Sequence, residues 1–295
     1  MMKVLLTGAT GFTGSQVVRK LLERGCSVRC LVRRSSDLRS LEGLGVETVY
    51  GDLADSGALM TALKGVDGLV NVASLGFGHC DTLVDCSEAS GIRRAIFVST
   101  TGIFTQLNPS SKTVRLAAER RIQDSKLEWT IIRPTMIYGS SRDRNMCRLA
   151  RFLRKSPICP IVGSGEWLQQ PVFVEDLADA IVAGFLSGAA LKQCYNISGA
   201  DALTFNLVVD TVAALLGRTV TKIHLPIGPI VWGLQRCESL GLKLPVKAEQ
   251  IQRLNEHKAF SHLAAQQDFG YRPRTFHSGM QAELSEMGFL PTRTH

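Results

Sequence analysis

Short apolar runs and amphipathic stretches alternate along the first half of the chain, and that alternation sets the expected fold class. Lys3 to Leu6 is an apolar, strand-forming run; the turn Thr7 to Gly14 follows, then Ser15 to Arg24, where Val17, Val18, Leu21 and Leu22 recur at helical spacing. Gly25 closes this helix, and Ser27 to Val32 reads as the second strand. Strands then follow at Val46 to Tyr50, Gly68 to Val72, Arg94 to Ser99 and Trp129 to Arg133. Helices between them are expected at Ser56 to Leu63, Asp81 to Ser90 and Thr113 to Asp124. Strands joined through helices imply right-handed crossovers and a parallel sheet covered on both faces. The unbroken runs Val4-Leu5-Leu6, Ala95-Ile96-Phe97-Val98 and Thr130-Ile131-Ile132 suit strands buried on both sides. The expected fold class is α/β: a Rossmann-type doubly wound parallel sheet with a smaller, mostly helical C-terminal cap.

The pattern changes after Gly139. Ser140 to Lys155 is polar and arginine-rich with no strand-like run; Phe173 to Phe185 returns to helical spacing behind the acidic pair Glu175-Asp176, and Tyr195 to Ile197 fits a last sheet strand. From Thr204 onward the chain reads as helical, with turns at Leu225 to Pro229 and Lys243 to Pro245. The expected division is a Rossmann core over 1–139, rejoined by 171–199, with 140–170 and 200–295 as substrate lid and cap. Ligands of such sheets sit beyond the carboxyl ends of the strands, here beneath that lid. Its Arg142, Arg144, Arg148 and Arg151 suit either a phosphate or carboxylate substrate or a solvated helix face. Leu225 to Leu234, with Ile227, Ile230, Val231 and Trp232, is expected to be buried in the cap, the alternative being a partner or membrane-surface patch.

Composition narrows the function classes. With 45% hydrophobic and 20% charged residues, 295 residues can bury a large core, which argues against disorder. The net charge of +8 is scattered in single residues and Arg-Arg pairs, so no nucleic-acid partner is expected. The eight cysteines form no C-x-x-C pair, which removes zinc-ribbon and thioredoxin-type sites and leaves reduced, mostly buried thiols, with no metal site expected. No charged leader precedes the first strand and no apolar run approaches ~20 residues, so a cytoplasmic chain without a transmembrane segment is expected. Neither oligomeric state nor substrate identity can be read from the sequence.

Candidate chemistry begins at Thr7 to Gly14, T-G-A-T-G-F-T-G, with Gly8, Gly11 and Gly14 spaced G-x-x-G-x-x-G between a strand and a helix. Gly8 permits the tight turn, Gly11 lets backbone approach a diphosphate, and Gly14 allows close packing of helix on strand, while the helix N-terminus adds partial positive charge. Thr10, Phe12 and Thr13 complete this turn, which points to a dinucleotide. An NAD site places a carboxylate at the end of the second strand; here Arg33 and Arg34 stand there, followed by Ser35 and Ser36. Guanidinium groups attract a 2′-phosphate, which favours NADP(H) over NAD(H), unless both arginines are simply solvated.

Further along, G-D-L at Gly51 to Leu53, N-V-A-S at Asn71 to Ser74, F-V-S-T-T at Phe97 to Thr101 and R-P-T-M-I-Y-G at Arg133 to Gly139 appear in order. F-V-E-D-L-A at Phe173 to Ala178 and G-Y-R-P-R-T-F at Gly270 to Phe276 complete the series. With the glycine turn, these motifs resemble the extended and atypical short-chain dehydrogenase/reductase superfamily, in particular its NAD-dependent epimerase/dehydratase-like and complex I assembly-type branches. The resemblance implies that Asp52 bonds the adenine amino group and Leu53 packs beside the ring. It places Val72 and Ala73 along the adenosine, Ser99 and Thr100 near the nicotinamide ribose, and Pro134 to Met136 beside the nicotinamide amide. The alternative for Asp52 is a helix N-terminal or turn aspartate.

The family pattern also carries Y-x-x-x-K before R-P. Aligning Glu119 on the acidic residue of that pattern puts Arg115 at the lysine and Ser111 at the tyrosine. Serine is no substitute for a phenol of lowered pKa, and Arg115 is a ribose-binding donor rather than an acid or base. Lys112 and Tyr138 are the remaining proton-transfer candidates, with Thr100 and Thr101 as hydroxyl-bearing helpers; each also reads as an ordinary surface or packed residue. His79, beside Gly76 to Gly78, is either a cleft residue or simply exposed. Two functions stay open: an NADP(H)-dependent oxidoreductase or sugar-nucleotide epimerase-like enzyme on a small molecule, and a non-catalytic dinucleotide-binding redox sensor or assembly factor.

Overall fold

The structure is a computed structural model that describes residues 1–107, 109–143, 145–240 and 248–290. Arg144 and the expected turn at Lys243 to Pro245 lie outside the described residues. Strands β1 (Lys3–Thr7), β2 (Ser27–Val32), β3 (Glu47–Tyr50), β4 (Gly68–Asn71), β5 (Arg94–Val98) and β6 (Glu128–Pro134) alternate with helices α1 (Phe12–Glu23), α2 (Ser56–Leu63), α3 (Cys80–Ala89) and α4 (Ser110–Gln123). Then follow β7 (Ile137–Tyr138), α5 (Met146–Lys155), β8 (Ile158–Val162), β9 (Leu168–Gln169), β10 (Val172–Phe173), α6 (Val174–Leu186) and β11 (Gln193–Ile197). The remainder is β12 (Leu203–Thr204), α7 (Phe205–Leu215), β13 (Thr221–Leu225), α8 (Ile227–Ser239), α9 (Ala248–Gln252), α10 (Leu263–Phe269) and α11 (Phe276–Glu286).

The main sheet has seven strands in the order β11-β6-β5-β4-β1-β2-β3, every neighbouring pair parallel. Side chains alternate across it with the two-residue period of a strand. Val4, Leu6, Val70, Ile96 and Ile132 enter one core with Val17, Leu21, Ile181 and Phe185 of α1 and α6. Leu5, Leu69, Phe97 and Ile131 enter the opposite core with Leu59, Leu83 and Ile122 of α2, α3 and α4. Chain order reverses between β1 and β4, so a crevice opens beyond their carboxyl ends.

A third core joins Met146, Ala150 and Leu153 of α5 to Val208 and Val212 of α7 and Phe276, Met280 and Leu284 of α11. The acidic start of α6 fastens the C-terminal segment to the sheet. Arg274 donates from Nε to Asp176 at 2.8 Å and pairs with Glu175 at 3.1 Å, its guanidinium 4.1 Å from the centre of the Phe173 ring. The motifs F-V-E-D-L-A and G-Y-R-P-R-T-F are thus two halves of one joint.

Two readings change and one gains detail. Thr221 to Leu225 is a strand paired in parallel with β8, not part of a helical region; three of its five residues are exposed, so no clear period marked it. The arginine-rich stretch after Gly139 holds α5, whose buried Met146, Cys147, Ala150 and Leu153 recur at helical spacing between arginines. Burial of the Leu225 to Leu234 segment is not met: α8 buries only Val231 fully, and Trp232 is 62% exposed. Six cysteines are buried, Cys194 and Cys237 half-buried, and all eight thiols are free. Among the described residues, no helix is long and apolar enough to cross a membrane.

Candidate functional site

The turn from β1 to α1 is shaped so that only glycine fits. Gly8 has φ +76°, and a Cβ there would meet the Ala73 backbone nitrogen at 2.7 Å; a Cβ on Gly14 would lie 2.0 Å from the Gly8 carbonyl oxygen. The Gly11 amide donates to that same oxygen at 3.0 Å. No side chain caps α1, so its first amides, from Phe12 onward, face the crevice with the positive end of the helix dipole. This cradle fits a diphosphate. Asn71, which the sequence reading passed over, holds it in place: its Oδ1 accepts from the Thr7 hydroxyl at 2.6 Å, and its Nδ2 donates to the Ala73 carbonyl at 3.0 Å.

Arg33 and Arg34 stand exposed at the end of β2, Arg34 with its guanidinium 5.8 Å from the centre of the Tyr50 ring. Neither forms an ion pair among the described residues. The next carboxylate along the chain, Asp37, is paired with Arg39 at 2.6 Å, which holds it at about 2, well below the usual range. Asp52 is exposed and accepts from the Ala54 amide at 3.0 Å, a turn bond that leaves its second carboxylate oxygen available; Leu53 packs on the core beside it. From the far side Arg142 donates to the Thr10 carbonyl at 3.0 Å, bringing the 140s segment onto the glycine turn. Arg148 and Arg151 are exposed on α5, as in a solvated helix face.

At the other end of the crevice lies a cavity of about 390 Å³ lined by Thr13, Val72, Ser99, Thr100, Ser111, Arg115, Pro134, Thr135 and Arg253, among others. It adjoins a larger one of about 540 Å³, the two sharing Thr100, Gly102, Thr135 and Arg253. Pro134 and Met136 divide between them, Pro134 on the smaller and Met136 on the larger. The Ser99 hydroxyl is buried without a hydrogen-bond partner at this wall. Thr100 accepts from the Gly102 amide at 3.1 Å, so its O–H is left to donate; Thr101 spends its hydroxyl on the Pro134 carbonyl at 3.2 Å. Arg115 donates to the Ser111 carbonyl at 3.2 Å, and burial together with the charge of Arg253 lowers its pKa.

Two expected proton-transfer groups lie elsewhere. Tyr138 is 1% exposed in the third core, donates to the Phe276 carbonyl at 3.4 Å and lines neither cavity; burial pushes its pKa far up, which removes it as an acid or base. Its segment R-P-T-M-I-Y-G was expected to end near the cofactor, but β7 turns Tyr138 inward against Phe173 of β10. Lys112 donates to the Thr105 carbonyl at 2.5 Å and lines neither cavity. His79 precedes α3 and is likewise outside both linings, whereas Arg115 and Ser111 face the smaller cavity directly. The larger cavity takes Trp167, Gln169, Arg253, His257 and Lys258 from segments far apart in sequence that carried no motif.

The sequence profile described as NAD(P)H-binding matches residues 8–150, the stretch that builds the cradle and the smaller cavity. A ceramide reductase of Caulobacter vibrioides is 30% identical over 236 residues, 76% of this chain and 73% of that protein. An NAD(P)H azoreductase of Xenophilus azovorans is 28% identical over 232 residues, 76% of this chain and 77% of that protein. In structure, a UDP-glucose 4-epimerase of Thermotoga maritima superposes with TM-score 0.76 at 16% identity over 97% of this chain and 99% of that one, a likeness of fold. The glycine cradle, the seven-stranded sheet and these relatives agree, and the chain belongs to the NAD(P)H-binding family within the extended and atypical short-chain dehydrogenase/reductase superfamily.

Proposed function

We propose that the protein is an NADP(H)-dependent reductase of a small carbonyl-type acceptor. The observation that carries this reading is the junction of the two cavities at Thr100, Gly102, Thr135 and Arg253: a groove for the nicotinamide end of a dinucleotide opens directly into a second space of about 540 Å³. A bound nicotinamide supplies hydride. The chain's own part is to seat the acceptor oxygen: the free O–H of Thr100 donates to it, and the Arg115 guanidinium offsets the negative charge that grows there as hydride arrives. Arg115 is no acid near neutrality, and no phenol stands in either cavity lining, so neither supplies the proton. The reductase names of the two relatives support the same reaction class.

Arg33 and Arg34, cationic at the end of β2 and without an ion pair among the described residues, support NADP(H). A second reading is favoured by one observation: with Ser111 and Arg115 at the tyrosine and lysine positions, the protein binds the nucleotide without turnover, as a redox sensor or assembly factor. Stopped-flow oxidation of bound NADPH, followed by nicotinamide absorbance over a panel of aldehydes, ketones and quinones, separates the two. Acceptor-dependent oxidation is expected. Tight NADPH binding with no oxidation across the panel would leave the sensor reading. The double substitution Ser111→Tyr with Arg115→Lys is expected to raise the rate with carbonyl acceptors by about 10² or more, since it restores a positioned general acid.

A further inference from the structure

We infer that the larger cavity is an anion subsite, in which a substrate carboxylate or phosphate lies between Lys258 and Arg253 while its apolar body rests on aromatic walls. The inference deepens the reading of that cavity as the substrate seat. Lys258 is held in place by its backbone, whose amide donates to the Leu168 carbonyl at 2.8 Å beside the bridge to Gln169. Lys258 lines the cavity, is half-buried, and its ammonium has neither an ion pair nor a hydrogen bond among the described residues. Burial, followed by the charge of Arg253, lowers its pKa, and the charge of Glu256 offsets part of this. Among the described residues Arg253 also has no carboxylate partner, and it lines both cavities, with Arg115 near it.

Elsewhere in the molecule inward-facing cations are satisfied. Arg133 pairs with Glu119 at 2.5 Å, Arg274 with Asp176 at 2.8 Å, and Arg94 donates to the carbonyls of Phe185 and Glu128 at 2.7 and 2.6 Å. Glu256, the acid in this lining, accepts from the Thr105 hydroxyl at 2.7 Å and the Gln106 amide at 2.9 Å, and its charge acts on Lys258 without forming an ion pair, a smaller influence than burial and Arg253. None of the positions outside the described residues carries an acidic side chain that could supply the missing partner. A half-buried ammonium beside a guanidinium is costly unless an anion joins them. Phe104, Trp167 and Phe260 line the rest of the space, Phe104 and Phe260 with ring centres 5.5 Å apart, which suits an aryl or alkyl body.

Isothermal titration of the full chain, with NADP⁺ saturating and then without nucleotide, tests this with benzoate, phenyl phosphate and benzyl alcohol. At least one anion is expected to bind about tenfold or more tightly than the isosteric alcohol, and which of the two binds better identifies carboxylate or phosphate. Lys258→Met and Lys258→Gln are expected to abolish that preference and Lys258→Arg to keep it, while all three retain NADPH affinity. Equal binding of alcohol and anions, no binding of either anion, or an unchanged preference in whichever of the two neutral variants keeps its native circular dichroism would overturn the subsite. Anion binding in a protein that fails to bind NADPH would overturn the cofactor reading alone.

Discussion

At the scale of single residues, the proposed preference for NADP(H) rests on Arg33 and Arg34, exposed at the end of β2. Under that proposal a 2′-phosphate at the end of β2 would gain charge-assisted hydrogen bonds, each worth about 1.5–3 kcal/mol, that a 2′-hydroxyl would not. Replacing both by alanine is expected to weaken NADPH binding by about a hundredfold and leave NADH binding nearly unchanged, as read by side-by-side titration. Equal losses for both nucleotides would exclude this role. Glu283 makes a different prediction at the same scale. Fully buried, with Asp143 beside it, its carboxyl is pushed up to about 10, burial being the larger cause. The folded protein therefore keeps a proton on Glu283 through the pH range where the unfolded chain, with an ordinary carboxyl near 4.5, has released it. Stability tied to this group is full below about pH 4.5 and falls as pH rises toward 10, by at most about 1.4 kcal/mol per pH unit. Glu283→Gln carries no such proton, so its melting temperature relative to the parent should climb between pH 5 and pH 8. A pH-independent gap between the two would show that Glu283 is ionised in the fold.

At the scale of elements, the joint between α6 and the segment leading into α11 holds the third core against the sheet. Asp176 is buried, and burial raises its pKa while the Arg274 backbone amide and guanidinium pull it back. Arg274→Ala strips Asp176 of its side-chain partner and uncovers the Phe173 ring; because Arg274 is 29% exposed, the cost is set by the stranded carboxylate rather than by the surface charge. A loss of about 2 kcal/mol is expected, near 5 °C in a thermal melt of a chain this long. If the variant melts with the parent, α11 is secured by its apolar face alone. The helices and strands of the sheet were legible in sequence because their periods are clean: Leu5 between Val4 and Leu6 reads as a strand however the chain is folded. β13 was not legible, since Thr221 to Leu225 borrows its strand geometry from β8 and exposes most of its side chains.

For the whole molecule, the two cavities meet where the sheet, the 140–170 segment and the C-terminal residues converge, so a nucleotide in the crevice touches more than one layer. Ligand that binds only the folded chain adds about 2.7 kcal/mol at a hundredfold its Kd. NADPH is therefore expected to raise the melting temperature at that excess, and NADH to do so only at much higher concentration. An identical shift from both at equal concentration would remove the case for NADP(H).

The division between sequence and structure follows the range of the interactions. Taken alone, the sequence determined the parallel α/β sheet and the glycine cradle, because a strand, a turn and a helix are local and Gly14, with no room for a Cβ, is required wherever that turn occurs. It also raised the expectation that Ser111 and Arg115 stand where the family it resembles carries a phenol and an ammonium. Only the tertiary structure decided that Tyr138 is packed away and Lys112 is bound to the loop before its own helix. It alone brought Arg253 and Lys258 to the wall opposite Thr100. Those positions depend on contacts between residues some 150 apart, such as Thr105 with Glu256, 151 residues along the chain, and no local period records them.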